Sequence, residues 1–133
     1  YVMEILDKYI VELEQDLQID RVQLEEKSMM VPGIKGKWLS KMIRHKRELK
    51  NHEILLEEAK SKLVKEMEKT SDIAYNKPTL DRIVSDHELI KKIKKSMDTE
   101  RLAIEFCERA LTIVSSMSFD VKNILEGYKL ELT

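Results

Sequence analysis

The sequence predicts an all-α protein, an elongated helical bundle built on one long central helix. Three observations carry this. Glycine and proline are scarce, at three and two in 133 residues. Charged residues make up 37% and aromatics 5%, a balance rich in Glu, Lys, Leu and Ile that favours long helices and their association. Apolar residues recur at helical rather than alternating spacing along most of the chain. The length suits a single helical domain over residues 1–133.

The first element follows from Val2, Ile5, Leu6, Tyr9, Ile10, Leu13 and Leu17, which share one helical face up to about Gln18. Asp20 is placed to cap a second, short helix, with Gln23 three residues later. Pro32 and Gly33 are expected to stop it, because proline lacks a donor and restricts the residue before it, so the acidic N-terminal helices fill residues 1–31.

The long helix is expected over about residues 35–69, roughly 50 Å at 1.5 Å per residue. Met42, Leu49, Leu56 and Leu63 step by seven along it, with Trp38, Ala59 and Met67 beside them. Such a length exceeds a small domain, so part of the stripe needs another helix or another subunit. A loop is expected over about residues 70–79, marked by Asn76, Lys77 and Pro78. Ser85 and Glu88 have capping-box spacing and open C-terminal helices over about residues 86–131, with a kink near residues 96–99 and a turn at residues 115–118.

Net charge is −1, yet the charge is segregated. Residues 1–26 carry eight acids against Lys8 and Arg21, whereas Lys35, Lys37, Lys41, Arg44, Lys46, Arg47 and Lys50 face Glu48 alone. Lys60, Lys62, Lys65 and Lys69 continue the positive series among neighbouring glutamates. Lys91, Lys92, Lys94 and Lys95 form a further cluster with no acid in residues 89–97. Lysines and arginines that meet phosphates release counterions, which gives sequence-independent affinity for nucleic acid. The other reading is a helical interaction module whose basic faces pair with the acidic first helix of a neighbour. Trp38, the only tryptophan, is read as a packing anchor rather than a base-stacking residue.

Catalytic patterns are absent: no phosphate-binding glycine loop, no GxSxG, no HExxH and no paired cysteines. No enzyme activity and no cofactor are expected. His45 and His52 lie seven apart with Glu48 and Glu53 nearby, an incomplete ligand set that reads as ordinary seam histidines. The lone Cys107 reads as a small buried hydrophobe. No signal peptide and no apolar run of about 20 residues is found, so an intracellular soluble protein without a membrane partner is expected. The first residue is Tyr1 rather than methionine, which leaves room for a natural N-terminus upstream.

Several stretches, taken in order, match a known pattern. Asp16-Leu-Gln-Ile-Asp-Arg-Val-Gln-Leu24, Lys37-Trp-Leu-Ser-Lys41, Lys46-Arg-Glu48, Glu105-Phe-Cys-Glu-Arg-Ala-Leu111, Phe119 and Lys122-Asn-Ile124 stand at matching intervals. Through them the chain resembles the UvsY recombination mediators of T-even-like bacteriophages over about residues 12–128. The resemblance implies a non-enzymatic protein of phage DNA replication, recombination and repair, acting in the cytoplasm of the infected bacterium. It implies single-stranded DNA binding and a closed homo-oligomer, a hexamer or heptamer. It also implies contacts with a phage recombinase and a phage single-strand DNA-binding protein, and loading of the former onto strands coated with the latter. The family's C-terminal assembly role falls on Phe106, Ala110, Ile113, Phe119, Ile124, Leu125 and Tyr128. Its basic pair Lys-x-Arg falls on Ser61 and Leu63 without gaps, while Lys60 and Lys62 keep the spacing one residue earlier. The nucleic-acid contacts expected are thus Lys35, Lys37, Lys41, Arg44, Arg47, Lys60 and Lys62, followed by Lys91, Lys92, Lys94 and Lys95.

Overall fold

The structure is a computed structural model and describes residues 2–70 and 75–132. The described residues form four α-helices and one 3-10 turn: α1 (Val2–Asp16), the turn Arg21–Gln23, α2 (Leu24–Thr70), α3 (Lys77–Asp86) and α4 (Glu88–Leu132). The all-α expectation therefore holds. Four differences at the element boundaries have local physical causes.

The expected short second helix and the long helix are one element, α2, with Pro32 inside it. Proline withholds the donor that Ser28 would otherwise receive, and costs about 3 kcal/mol in a helix interior. Val31 and Ile34, on either side of the Pro32-Gly33 pair, are both buried in the core, and that burial keeps the backbone helical. Apolar burial of two such side chains stabilises by roughly 3–6 kcal/mol, enough to offset the proline. At 47 residues, α2 rises roughly 70 Å rather than 50 Å.

Of the expected loop, Tyr75 and Asn76 are non-helical and residues 71–74 lie outside the described residues, while Thr70 still belongs to α2 and α3 starts at Lys77, earlier than expected. Asn76 is the N-cap, its side chain accepting from Thr79 N at 3.0 Å, and Pro78 sits in the first turn, where no donor is needed. Ser85 does not cap the next helix. It belongs to α3, and His87 is the joint: its backbone N–H closes α3 on Val84 O and its Nδ1 accepts from Leu89 N at 3.1 Å. Finally, residues 115–118 are not a turn, because Val114, Met117 and Val121 stay on one buried face of α4.

The contacts gather into two compact units, and α2 and α4 contribute to both. The first unit comprises Tyr1–Arg44 and Ala103–Thr133. Its core joins Leu13 of α1 and Leu24, Val31, Ile34 and Trp38 of α2 to Cys107, Ala110, Val114, Met117 and Val121 of α4. The second unit is His45–Leu102. There Leu56 and Ala59 of α2 pack with Val84 of α3 and with Ile90, Ile93 and Met97 of α4, flanked by Leu49, Leu63 and Met67. The seven-residue stripe of α2 is thus real, with Met42 facing the first core and the next three leucines the second.

Candidate nucleic-acid interface

The expected phosphate contacts fall into two physical classes. Lys37 and Lys41 are held by α1. The Lys37 ammonium lies 2.6 Å from Asp16 Oδ2 and 3.3 Å from Glu12 Oε1, and that of Lys41 lies 3.2 Å from Glu12 Oε2. Lys41 also stands over the Tyr9 ring at 4.9 Å and the Trp38 ring at 5.7 Å. These two cations anchor one helix to another, which lowers their availability to an external anion.

Trp38 is fully buried, and its Nε1 donates to Asp16 Oδ2 at 2.9 Å. Its ring meets Tyr9 edge to face at 5.6 Å and Phe106 at 5.8 Å. Buried indoles of this kind satisfy their one donor and bring a large apolar face. Its reading as a packing anchor is borne out, and no face remains for a nucleic-acid base.

The second class is exposed. Arg44 places its Nε 3.4 Å from Ser40 O of its own helix and leaves the rest of the guanidinium to solvent. Beyond it, Lys46, Arg47 and Lys50 are exposed on α2, and Lys91, Lys92, Lys94 and Lys95 are exposed on α4 in the second unit. Among the described residues no ion pair engages any of these seven. Lys35 is half-buried. Lys60 is half-buried and Lys62 exposed, and two residues apart on a helix they point to nearly opposite sides. Ser61 stays exposed and Leu63 packs against the second core.

The expected assembly residues also divide. Ala110 is fully buried in the first core and offers no surface to a neighbour. Phe106, Leu125 and Tyr128 pack partly against that core, whereas Ile113, Phe119 and Ile124 are exposed at 44%, 65% and 38%.

His45 and His52 take different roles. His45 Nδ1 lies 2.6 Å from Glu100 Oε2, both half-buried, and this pair ties α2 to α4 within the second unit. Nothing in the sequence marked Glu100 as that partner, 55 residues away. His52 lines a shallow groove with Leu55, Leu89, Lys92, Ile93 and Ser96. Among the described residues no group of three or more His, Cys, Asp or Glu side chains is gathered as metal ligands would be. Nor is any described helix long and apolar enough to cross a membrane. Cys107 is fully buried, and burial pushes its thiol up to about 11, with Lys41 opposing and Glu108 and Glu12 adding to the rise.

A family model described as "Recombination, repair and ssDNA binding protein UvsY" matches residues 12–132. The chain belongs to the UvsY family. The fold agrees with that of the bacteriophage T4 recombination mediator protein UvsY in three crystal lattices. One superposes with a TM-score of 0.83 at 22% identity, covering 95% of this chain and 98% of that one. The others give TM-scores of 0.80 at 22% identity, covering 96% and 98%, and 0.76 at 23% identity, covering 90% and 96%. No curated protein matches the chain. Membership of the UvsY family makes the chain a recombination, repair and single-stranded-DNA-binding protein.

Proposed function

We propose that this UvsY-family chain is a recombination mediator that binds single-stranded DNA through its exposed, unpaired cations. Those cations are Arg44, Lys46, Arg47 and Lys50 on α2 and Lys91 and Lys94 on α4, with Lys62 in support. Lys37 and Lys41, and the buried Trp38, belong instead to the scaffold. The observation that carries the reading is this separation: of the cations expected to meet phosphate, Lys37 and Lys41 have acidic partners and sit against α1, whereas the exposed ones on α2 and in residues 91–95 form no ion pair among the described residues. Without a stacking platform, affinity rests on phosphate contacts, so it is expected to be indifferent to sequence and steeply dependent on salt.

The mechanism needs no bond chemistry. Basic faces repeated in a closed homo-oligomer raise the effective concentration of weak contacts along one strand. A strand so held is presented to a phage recombinase on DNA coated with single-strand binding protein. Exposed Ile113, Phe119 and Ile124 are the assembly surface in this reading. Fluorescence anisotropy with labelled oligo-dT over a salt series tests the DNA contact. A linear fall of log affinity with log salt is expected, and an affinity that ignores salt would sink the reading. Recombinase nucleation on coated strands, with and without the protein, tests the mediator role.

A further inference from the structure

The outer face of α2 in the second unit carries its charges in bands. Leu49, Leu56 and Ala59 mark the side turned to the core. Roughly opposite them, at about 100° per residue, stand Arg47, Lys50, Ile54 and Glu58, all exposed, with exposed Asn51 and Glu57 flanking the line. Residues 46–50 hold Lys46, Arg47 and Lys50 against Glu48, which points to one side. Residues 51–58 hold Glu53, Glu57 and Glu58 and no lysine or arginine; the positive series resumes only at Lys60 and Lys62. No ion pair among the described residues engages Arg47, Lys50, Glu57 or Glu58.

Ile54 stands between the cations and the acids and is 52% exposed. An isolated aliphatic at a surface needs no explanation in itself. Its place on this face is what gives it meaning, because the two bands treat the two parts of a nucleotide differently. A phosphate is drawn to Arg47 and Lys50 and repelled from Glu57 and Glu58. A base is uncharged and has apolar faces, so it suits Ile54 and is not opposed by the acids. Ile54 lies four residues beyond Lys50 and seven beyond Arg47, roughly 6 and 10 Å along the helix axis, separations that a phosphate and its own base can span with the reach of the side chains.

We propose that a single strand crosses this face of α2, with phosphates on Arg47 and Lys50 and a base seated on Ile54. Asn51, one turn before Ile54, offers an amide that both donates and accepts, and so meets the edge of any base. The contact adds an apolar share to the affinity without choosing among sequences. It also favours an unpaired strand, since the bases of a duplex are stacked and paired inside it and Glu57 and Glu58 repel a second backbone. The proposal rests on the reading of the exposed cations as the DNA contact and names the residue that recognises the unpaired base.

The test compares oligo-dT with an abasic oligomer of the same length and phosphate number, each over a salt series, on the full chain. The native protein is expected to bind oligo-dT about fivefold or more tightly than the abasic strand, the gain that burying the exposed half of an isoleucine supplies. The salt slope is expected to be the same for both, because the phosphates are the same. Ile54→Ser is expected to abolish the preference, leaving slope, helical content and sedimentation unchanged, while Ile54→Leu retains it. Ile83→Ser, at an exposed aliphatic of α3, is the control and keeps the preference. Equal binding of the two oligomers by the native chain overturns this proposal alone, with the cation reading still standing on its salt slope. Binding to neither overturns both. An Ile54→Ser variant that keeps the preference, or that alters sedimentation in its place, shows that Ile54 meets something other than a base and also overturns the proposal.

Discussion

Asp16 Oδ2 accepts two hydrogen bonds at once, from Trp38 Nε1 at 2.9 Å and from Lys37 Nζ at 2.6 Å. One carboxylate oxygen thereby fixes the indole that centres the first core and neutralises a cation of the basic run. The end of α1 is tied to α2 through this atom. The charge segregation along the sequence is in part a folding device.

Replacing Asp16 by Ala leaves the buried indole donor without its acceptor and the Lys37 ammonium with Glu12 alone. A lost hydrogen bond at a buried group costs about 1–3 kcal/mol. Urea unfolding followed by tryptophan fluorescence is expected to show a loss in that range. No change in the midpoint would mean that α1 is held by its apolar face alone.

Lys37→Met and Lys41→Met test the division of the cations. Each removes an ion pair that is partly solvated, so the stability effect is roughly 0–1 kcal/mol. Affinity for oligo-dT is expected to change less than about threefold for either, well below the loss from neutralising exposed cations. A larger loss of affinity would place these lysines on the DNA path.

Gly36 lies in the interior of α2, and a methyl group added there meets no atom within 4 Å. Gly36→Ala is therefore expected to stabilise the fold by about 1 kcal/mol, the difference in helix propensity. Thermal unfolding by circular dichroism reads this directly, as a rise in Tm. A fall in Tm at a concentration where the chains are associated would reveal a neighbour packed on that face.

Burial raises the Cys107 thiol from 9.0 to about 11. The folded state therefore favours the neutral thiol. Its contribution to stability is full below pH 9 and declines as pH rises from about 9 towards 11, where the unfolded chain ionises first. Reaction with Ellman's reagent at pH 8 is expected to be slow in the folded protein and immediate in denaturant, since the thiolate is the reacting form. Fast labelling of the folded chain would contradict the burial.

Much of the fold is legible in the sequence, for stated reasons. The seven-residue stripe of Met42, Leu49, Leu56 and Leu63 identifies the buried side of α2, because periodicity reports burial wherever packing is uniform. Asp20 is legible as a cap, and accepts from Val22 N at 3.0 Å. Pro32 misleads, since a local rule of helix breaking meets a tertiary preference at Val31 and Ile34 and loses. Ser85 misleads because its spacing to Glu88 is right but Val84, the residue before it, is needed inside α3 to close the second core. At the candidate interface the positive clusters are visible as composition. Which lysines are free is not visible, because the partners of Lys37 and Lys41 lie more than twenty residues upstream and reach them only through the packing of α1 on Trp38. Ala110, named for assembly through the resemblance, lies in the first core, because a helix that is apolar on two sides does not say which side faces its own core.

The central claim is that the exposed cations, and not those tied to α1, hold single-stranded DNA. The slope of log affinity against log salt for oligo-dT counts the phosphates neutralised, at about 0.7 per contact on a single strand. Neutralising Arg47, Lys50, Lys91 and Lys94 together to Ala is expected to flatten that slope by roughly 3 and to weaken binding, with helical content unchanged. An unaltered slope in this variant would contradict the account.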